Sequence, residues 1–295
     1  MNCTQLLKRN MRANSNNSFN ILSLNLPAVP NISVKVLNML NDPYVNLKKL
    51  EELIMADQSL SAKILRIANS AFYGLRRRVT LIGDAINIMG FKTLRDVILV
   101  ASIKESYKVF GLIEKKLWEH GVGVSVAAGI VAKKVPLVKK EEASLSGLIH
   151  DIGKIILNNN FPSEYASCMN LVHVNNLTFE EVESEIFNFT HKDVGALISD
   201  KWGFSDILKT VILNHGNLNY IKNCQDIYEK SLLLGISLAD SICTRLGIGY
   251  KEPMPQLVKN EEEIMALIGL SSKDYSDTVN EFIDTFPQHL ENYME

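Results

Sequence analysis

The chain has 295 residues, of which 46% are hydrophobic and 22% are charged, and its formal net charge is −2. This near-neutral balance argues against a general binder of nucleic acids or membrane surfaces, because such proteins need a sustained basic surface. No apolar run reaches the roughly 18 residues that a membrane-spanning helix needs, and the four cysteines form no CxxC pair. We therefore expect a cytoplasmic protein without nucleic-acid or membrane partners.

The predicted elements are helices, because apolar residues recur with a period near 3.6 and no long apolar-polar alternation predicts a strand. Residues 1–21 are polar, and they predict a flexible N-terminal lead-in. Residues 22–111 are predicted to form an N-terminal helical part. Within it, Asn46 is expected to cap a helix with four apolar residues on one face. These residues are Leu47, Leu50, Leu53 and Ile54.

Residues 112–250 are predicted to form a second helical part, and residues 251–295 to form closing helices. Two threonines resemble the first residue of a capping box, with an acidic residue three positions later. The pairs are Thr178 with Glu181 and Thr190 with Asp193. The last helix should begin at Ser272 and stop before Pro287, because proline lacks the N–H that continues a helix. The sequence thus predicts an all-α fold, a helical bundle in two parts.

The segment His150-Asp151-Ile152-Gly153-Lys154 carries three polar side chains inside an otherwise apolar helical pattern. Burying ionised groups without partners costs several kcal/mol, and a divalent cation is one partner that offsets this cost. Imidazole nitrogens together with carboxylate oxygens favour iron, manganese, zinc or nickel. A His-Asp pair alone is weak evidence, because a helix-end histidine beside a solvated aspartate is common.

Four further side chains of ligand type lie on other predicted helices. They are His120, His191, His215 and Asp240. A helical bundle can bring side chains from separate helices onto one ion. A buried network of paired carboxylates and imidazoles without metal is the alternative. His191 could equally belong to its helix N-terminus, and His215 could be a cation stabilised by a helix dipole.

The order His, His-Asp, Asp resembles the signature of the HD superfamily of metal-dependent phosphohydrolases, here carried by His120, His150-Asp151 and Asp240. His191 and His215 resemble the extra histidines with which some HD enzymes hold a second metal ion. Lys154 matches the lysine that faces substrate phosphate in the HD-GYP branch. The resemblance implies one or two divalent transition-metal ions held by these residues, with Asp151 and Lys154 in catalytic roles.

The N-terminal half resembles one branch, the HDOD proteins of bacterial signalling. The resemblance extends from about Leu26 to about Leu246. Its motifs are Leu26-Pro27-Ala28-Val29-Pro30, Asn69-Ser70-Ala71-Phe72-Tyr73-Gly74 and Ala85-Ile86-Asn87-Ile88-Met89-Gly90. Gly216 follows His215 where HD-GYP enzymes have a second histidine, and their Gly-Tyr-Pro element is missing. These departures argue against a cyclic-di-GMP hydrolase of the HD-GYP type.

The HDOD resemblance implies a regulatory protein that acts mainly as an interaction or output module and has a protein partner in a signalling pathway. The alternative is a metal-dependent phosphohydrolase that acts on a nucleotide or cyclic nucleotide. The sequence does not decide whether a reaction is catalysed, and it leaves the oligomeric state open.

Overall fold

The computed structural model of the protein describes residues 19–40, 42, 44–69, 78–103 and 111–294. Within these ranges the regular structure is helical without a strand, which confirms the predicted all-α fold. Most of the predicted lead-in, and residues 70–74 of the second HDOD motif, lie outside the described residues. None of the described helices combines the length and the apolar character that crossing a membrane requires.

The described residues before position 111 contain four helices, with one short 3₁₀ turn at Ile21–Ser23 ahead of them. The helices are α1 (Asn31–Leu40), α2 (Leu47–Met55), α3 (Gln58–Asn69) and α4 (Ile82–Ile103). The Asn46 side chain accepts a hydrogen bond from the Lys49 N–H, as expected of the cap of α2. Leu50 and Ile54 on the predicted apolar face are fully buried. Helix α4 is kinked at Gly90, where φ is 71°.

The residues from 111 onward contain eleven helices in the described part of the chain. They are α5 (Leu112–Val131), α6 (Lys140–Ile149), α7 (Ile152–Asn160), α8 (Pro162–Asn175), α9 (Phe179–Phe187), α10 (His191–Trp202), α11 (Asp206–Asn214), α12 (Leu218–Asn223), α13 (Ile227–Leu246), α14 (Glu261–Ile268) and α15 (Ser272–Met294). A 3₁₀ turn at Pro255–Leu257 precedes α14. Helix α5 packs against α6, α13 and α15, while α7 packs against α10.

Local signals set several of these helix ends. Thr178 and Thr190 each form the predicted capping box and begin α9 and α10. The prediction that the last helix stops before Pro287 is wrong, because α15 continues through this residue. Phe282 and Phe286 are buried and stacked on each other, and they pack into a core cluster. Burial of this apolar stripe outweighs the backbone hydrogen bond that proline removes.

One core cluster joins the N-terminal helices to the second part. It includes Leu94 and Ile98 of α4 together with Ile149 of α6 and Ile152 of α7. The two parts thus share buried apolar surface directly behind the His150-Asp151 pair. The proposed boundaries at residues 111 and 250 remain a prediction.

The first HDOD motif is fastened to α10. The Trp202 Nε1–H donates to the Pro27 carbonyl at 3.0 Å, and the Lys201 ammonium donates to the Leu26 carbonyl at 2.8 Å. Trp202 is buried in the same shared core. The proline-marked segment is therefore held by the C-terminal end of a helix whose first residue is His191.

Candidate metal centre

Five segments bring all six predicted ligands to one place. His120 lies within α5, and Asp240 lies within α13. His150 and Asp151 occupy the junction where α6 ends and α7 begins. His191 is the first residue of α10, and His215 directly follows α11. Helix ends and a junction supply four of the six residues, so the backbone fixes each Cα firmly while the side chain points inward.

Asp151 lies at the centre of the group. Its Oδ2 is 3.3 Å from His150 Nε2 and 3.6 Å from His120 Nε2. Its Oδ1 is 3.2 Å from His191 Nε2 and 3.5 Å from His215 Nε2. The two oxygens of one carboxylate thus face two different pairs of histidines.

Asp240 joins only the first of these pairs, with its Oδ1 3.1 Å from His120 Nε2. Ligand atoms of His120, His150 and Asp240 all lie within 4.8 Å of one another. A second group of ligand atoms, from His150, Asp151 and His215, meets the same 4.8 Å limit, so His150 lies close to both sides of the centre. We assign the residues to two adjacent donor sets by the oxygen of Asp151 that each histidine faces. The first contains His120, His150 and Asp240, the second contains His191 and His215, and Asp151 contributes one oxygen to each.

The other ring nitrogen of each histidine has a fixed partner. Three of the Nδ1–H groups donate to backbone carbonyls. The pairs are His120 with Ile248 at 3.0 Å, His150 with Gly147 at 2.7 Å and His215 with Val211 at 3.0 Å. Because a carbonyl oxygen only accepts, Nδ1 carries the proton, and a neutral ring then keeps a lone pair on Nε2. This arrangement is typical of histidines that bind metal through Nε2.

Glu183 fixes the fourth histidine and was missed by the sequence analysis. It is fully buried, and its Oε2 accepts hydrogen bonds from His191 Nδ1 at 2.6 Å and from the His191 backbone N–H at 2.8 Å. The Tyr165 hydroxyl donates to its other oxygen at 3.1 Å. A signal was present, because Glu183 falls in the apolar stripe formed with Phe179 and Val182, where a solvated glutamate is out of place.

Several ligand-type atoms are buried and have no hydrogen-bond partner among the residues that the structure describes. They are Nε2 of His120, His150 and His191, and Oδ1 of Asp151. Leaving a buried polar atom unpaired costs about 1–3 kcal/mol. A divalent transition-metal ion would satisfy these atoms together, and imidazole with carboxylate suits such an ion. The residues therefore fit the metal that the sequence predicts, while their role as ligands stays a prediction.

The charged groups of the centre shift one another's pKa values. Burial would raise the pKa of Asp151, but His150, Lys154 and His191 outweigh it and hold the pKa of this carboxyl well below its usual range. Burial would lower the pKa of His150, yet the carboxylate of Asp151 raises it. The pKa of His215 is lowered to about 4 by burial and by the Lys192 ammonium. The carboxylates of Asp151 and Asp240 therefore favour a positive charge on His150.

Lys154 supplies one fixed cation at the floor of the site. Its Nζ lies 2.5 Å from Asp151 Oδ2 and 4.0 Å from the centre of the Phe179 ring. Burial alone would lower the pKa of Lys154, but the neighbouring Asp151 outweighs it and raises the pKa. The side chain therefore keeps its charge although it is buried.

A cavity of about 210 Å³ opens onto the centre. Side chains of both donor sets line it, together with Lys154. Its remaining walls come from the start of α9, from one face of α13 and from residues 257–260. The centre is therefore accessible to a small ligand.

Two glycines allow the backbone to approach the ligands closely. A Cβ atom on Gly153 would lie 2.7 Å from the His191 carbonyl carbon and closer still to its oxygen. A Cβ atom on Gly249, where φ is +81°, would lie 2.5 Å from His120 Cβ. Contacts under 3.0 Å exclude a side chain at either position. Gly153 therefore sets the contact between α7 and α10, and Gly249 lets the Ile248 carbonyl reach His120.

Comparison with solved structures places this fold among bacterial relatives. An HDOD domain protein of unknown function from Geobacter sulfurreducens has 25% identity and a TM-score of 0.67, over 98% of this chain and 97% of that chain. A candidate phosphohydrolase from Shewanella amazonensis has 24% identity and a TM-score of 0.65, over 91% of this chain and 94% of that chain. A candidate signal transduction protein from Marinobacter aquaeolei has 17% identity and a TM-score of 0.64, over 98% of this chain and 66% of that chain. The Shewanella and Marinobacter proteins are less than 25% identical to this chain, so their similarity shows a shared fold.

The sequence comparisons agree with the structural ones. An uncharacterized protein of Treponema pallidum is 20% identical over 194 residues, which are 65% of this chain, and the chain spans 38% of that protein's length. The HDOD domain family matches residues 26–218, from the proline-marked segment to just beyond His215. The chain belongs to the HDOD domain family.

Proposed function

We propose that this protein is a regulatory HDOD protein whose second part holds two divalent transition-metal ions. One observation carries the proposal: four histidine Nε2 atoms, with their Nδ1 partners already satisfied, surround the two oxygens of a single buried carboxylate. Three of these Nε2 atoms lie 3.1–3.3 Å from carboxylate oxygens but form no hydrogen bond among the described residues, because the proton of each ring is on Nδ1. A metal ion would bind both the lone pair of each Nε2 and the carboxylate oxygen that faces it.

Each donor set would hold one ion. His120, His150 and Asp240 would hold the first ion together with Oδ2 of Asp151. His191 and His215 would hold the second ion together with Oδ1 of Asp151. Iron, manganese, zinc and nickel match this mixture of imidazole and carboxylate donors. Glu183 would orient His191 and fix its tautomer, as carboxylates behind metal-bound histidines do.

The regulatory part of the proposal is supported by the family and by the shared core. Ile149 and Ile152 flank the His150-Asp151 pair, and they pack in one cluster with α4 of the N-terminal part. A protein partner that docks on the N-terminal helices would therefore press on the elements that carry the centre. We propose that binding at the centre and binding of a signalling partner are linked in this way.

Phosphoester hydrolysis is a second candidate, favoured by the open cavity above the centre and by the ammonium of Lys154 in its floor. Bound metal would lower the pKa of a water molecule and neutralise phosphate oxygens. Lys154 would stabilise negative charge on the phosphate, because it stays protonated. Asp151 would hold Lys154 in place through the 2.5 Å contact.

The test is metal content by mass spectrometry, on protein purified without chelators or a polyhistidine tag. We expect about two equivalents in the wild type, about one in His215→Ala and almost none in Asp151→Asn. His173→Ala serves as the control, because His173 lies outside the centre, 4.0 Å from Glu252. A wild-type protein that contains no metal and takes up none of the four metals when they are supplied would refute the proposal.

A further inference from the structure

The cavity above the centre has one wall of hydroxyl groups. Ser237, Ser241 and Thr244 lie on one face of α13, at spacings of four and three residues, and all three line the cavity. Ser237 and Ser241 donate their hydroxyl protons to backbone carbonyls of α13, at 2.7 and 2.8 Å. Ser237 Oγ also accepts a hydrogen bond from the Gly216 N–H at 2.9 Å, which occupies one of its lone pairs. Since a hydroxyl has two acceptor lone pairs, Ser241 is the residue of this wall best placed to accept a hydrogen bond from a hydroxyl group of a ligand.

The aromatic side chains in the cavity are already engaged. The Phe179 ring carries the Lys154 ammonium at 4.0 Å and is 9% exposed. The Tyr250 ring stands edge-on to His120, with centroids 5.7 Å apart, and also packs against Phe179. A nucleobase gains most from a free aromatic face, and the face of Phe179 is taken by the Lys154 ammonium.

The size of the cavity points the same way. Its 210 Å³ is smaller than the roughly 300–1,000 Å³ of pockets for drug-sized ligands. Residues 256–260, which form the outer edge of the cavity, are held across it by two contacts, one to the residue that follows α8 and one to α9. Gln256 Nε2 donates to the Asn176 side chain at 2.7 Å, and Lys259 Nζ lies 3.5 Å from a Glu181 oxygen. A bulky ligand would have to displace this segment.

We propose that the cavity binds a small phosphomonoester with a hydroxylated carbon chain. Its phosphate would face the metal centre and Lys154, and the hydroxyl groups of its carbon chain would face the α13 wall. We expect nucleotides and cyclic dinucleotides to bind more weakly, because their bases would have to displace residues 256–260. The inference rests on the proposed metal centre and narrows its ligand. It also departs from the nucleotide ligand that the HD resemblance implies.

The experiment is calorimetric titration of the metal-loaded protein with four probes: glycerol phosphate, glycerol, AMP and cyclic di-GMP. Metal content is measured on the same samples. We expect glycerol phosphate to bind at least about ten-fold more tightly than AMP, and glycerol and cyclic di-GMP to show no binding. Loss of one hydrogen bond in Ser241→Ala should weaken glycerol phosphate binding about five-fold, with metal content unchanged. Ser231→Ala, on the same helix but outside the cavity lining, is the matched control and should bind like the wild type.

The outcomes separate the two proposals. If the ions are present and AMP or cyclic di-GMP binds as tightly as glycerol phosphate, the ligand inference is overturned and the metal centre stands. If the ions are present and glycerol phosphate does not bind, the ligand inference is likewise overturned and the metal centre stands. If Ser241→Ala and Ser231→Ala behave alike, the hydroxyl wall has no part in recognition and the inference also fails. A wild type that contains no metal and takes up none of the four metals when they are supplied overturns both.

Discussion

Replacing Gly153 by alanine tests whether the contact between α7 and α10 positions the second donor set. The new Cβ would lie 2.7 Å from the His191 carbonyl carbon and 2.9 Å from the Gly195 nitrogen. Both neighbours are backbone, so neither can turn away as a side chain would. Overpacking of this kind costs about 3 kcal/mol at the upper end of its usual range, and the helix preference of alanine returns at most about 1 kcal/mol. We expect a net loss of about 2 kcal/mol or more.

Gly235→Ala is the matched control, because Gly235 also lies within a helix of the second part. Its Cβ would meet Val131 and Val135 side chains at 3.8 Å, which is ordinary van der Waals contact. Alanine should therefore stabilise the protein there by up to about 1 kcal/mol. Thermal unfolding should separate the variants, since roughly 2 °C corresponds to 1 kcal/mol for a chain of this size. We expect the Tm to fall by about 4 °C or more for Gly153→Ala and to rise by about 1–2 °C for Gly235→Ala.

Metal content gives an independent measure of the same contact. Displacement of the His191 backbone should remove about one equivalent of metal from Gly153→Ala, while Gly235→Ala should keep both. The reasoning is refuted if both variants change Tm in the same direction by similar amounts. It is equally refuted if Gly153→Ala binds two equivalents with the wild-type affinity.

Three further substitutions test the supports of the centre. Glu183→Gln should weaken binding of the second ion about 10- to 100-fold in equilibrium dialysis, leaving the first ion in place; equal loss of both ions would contradict this. Gly249→Ala should lose the first ion while Gly269→Ala, a glycine of similar φ with open space around it, keeps it; identical metal contents would count against the role of the Ile248 carbonyl. Trp202→Phe should cost about 1–2 kcal/mol in urea unfolding through loss of its hydrogen bond, with metal content unchanged.

The polar residues of the centre were predictable because they break the apolar helical pattern. Asp151 and Asp240 stand out within apolar segments, and their order with the histidines matched a known signature. Glu183 escaped notice, although it also lies in an apolar stripe, because it is surrounded by solvated glutamates in the same helix. The sequence of this helix alone does not distinguish the buried Glu183 from its exposed neighbours.

Other features depend on contacts between distant segments, and the sequence does not encode them locally. Nothing around Gly153 indicates that the backbone of α10 lies against it. Likewise, Pro287 is locally a helix stop, and only the burial of Phe282 and Phe286 against other helices explains why α15 continues. Cavity size falls in the same class, because it depends on how residues 257–260 pack over α9 and α13.

Helix α10 connects the metal centre to the proline-marked segment, which lies far from His191 along the sequence. Its first residue is His191, and its last two residues, Lys201 and Trp202, hold the backbone carbonyls of Leu26 and Pro27. Twelve residues at 1.5 Å each make it a rod of about 18 Å. A displacement of the proline-marked segment along this axis would therefore act on His191 through a single helix, against the core packing of Ile198 and Trp202. By reciprocity, a metal ion that holds His191 in place would make the proline-marked segment harder to detach.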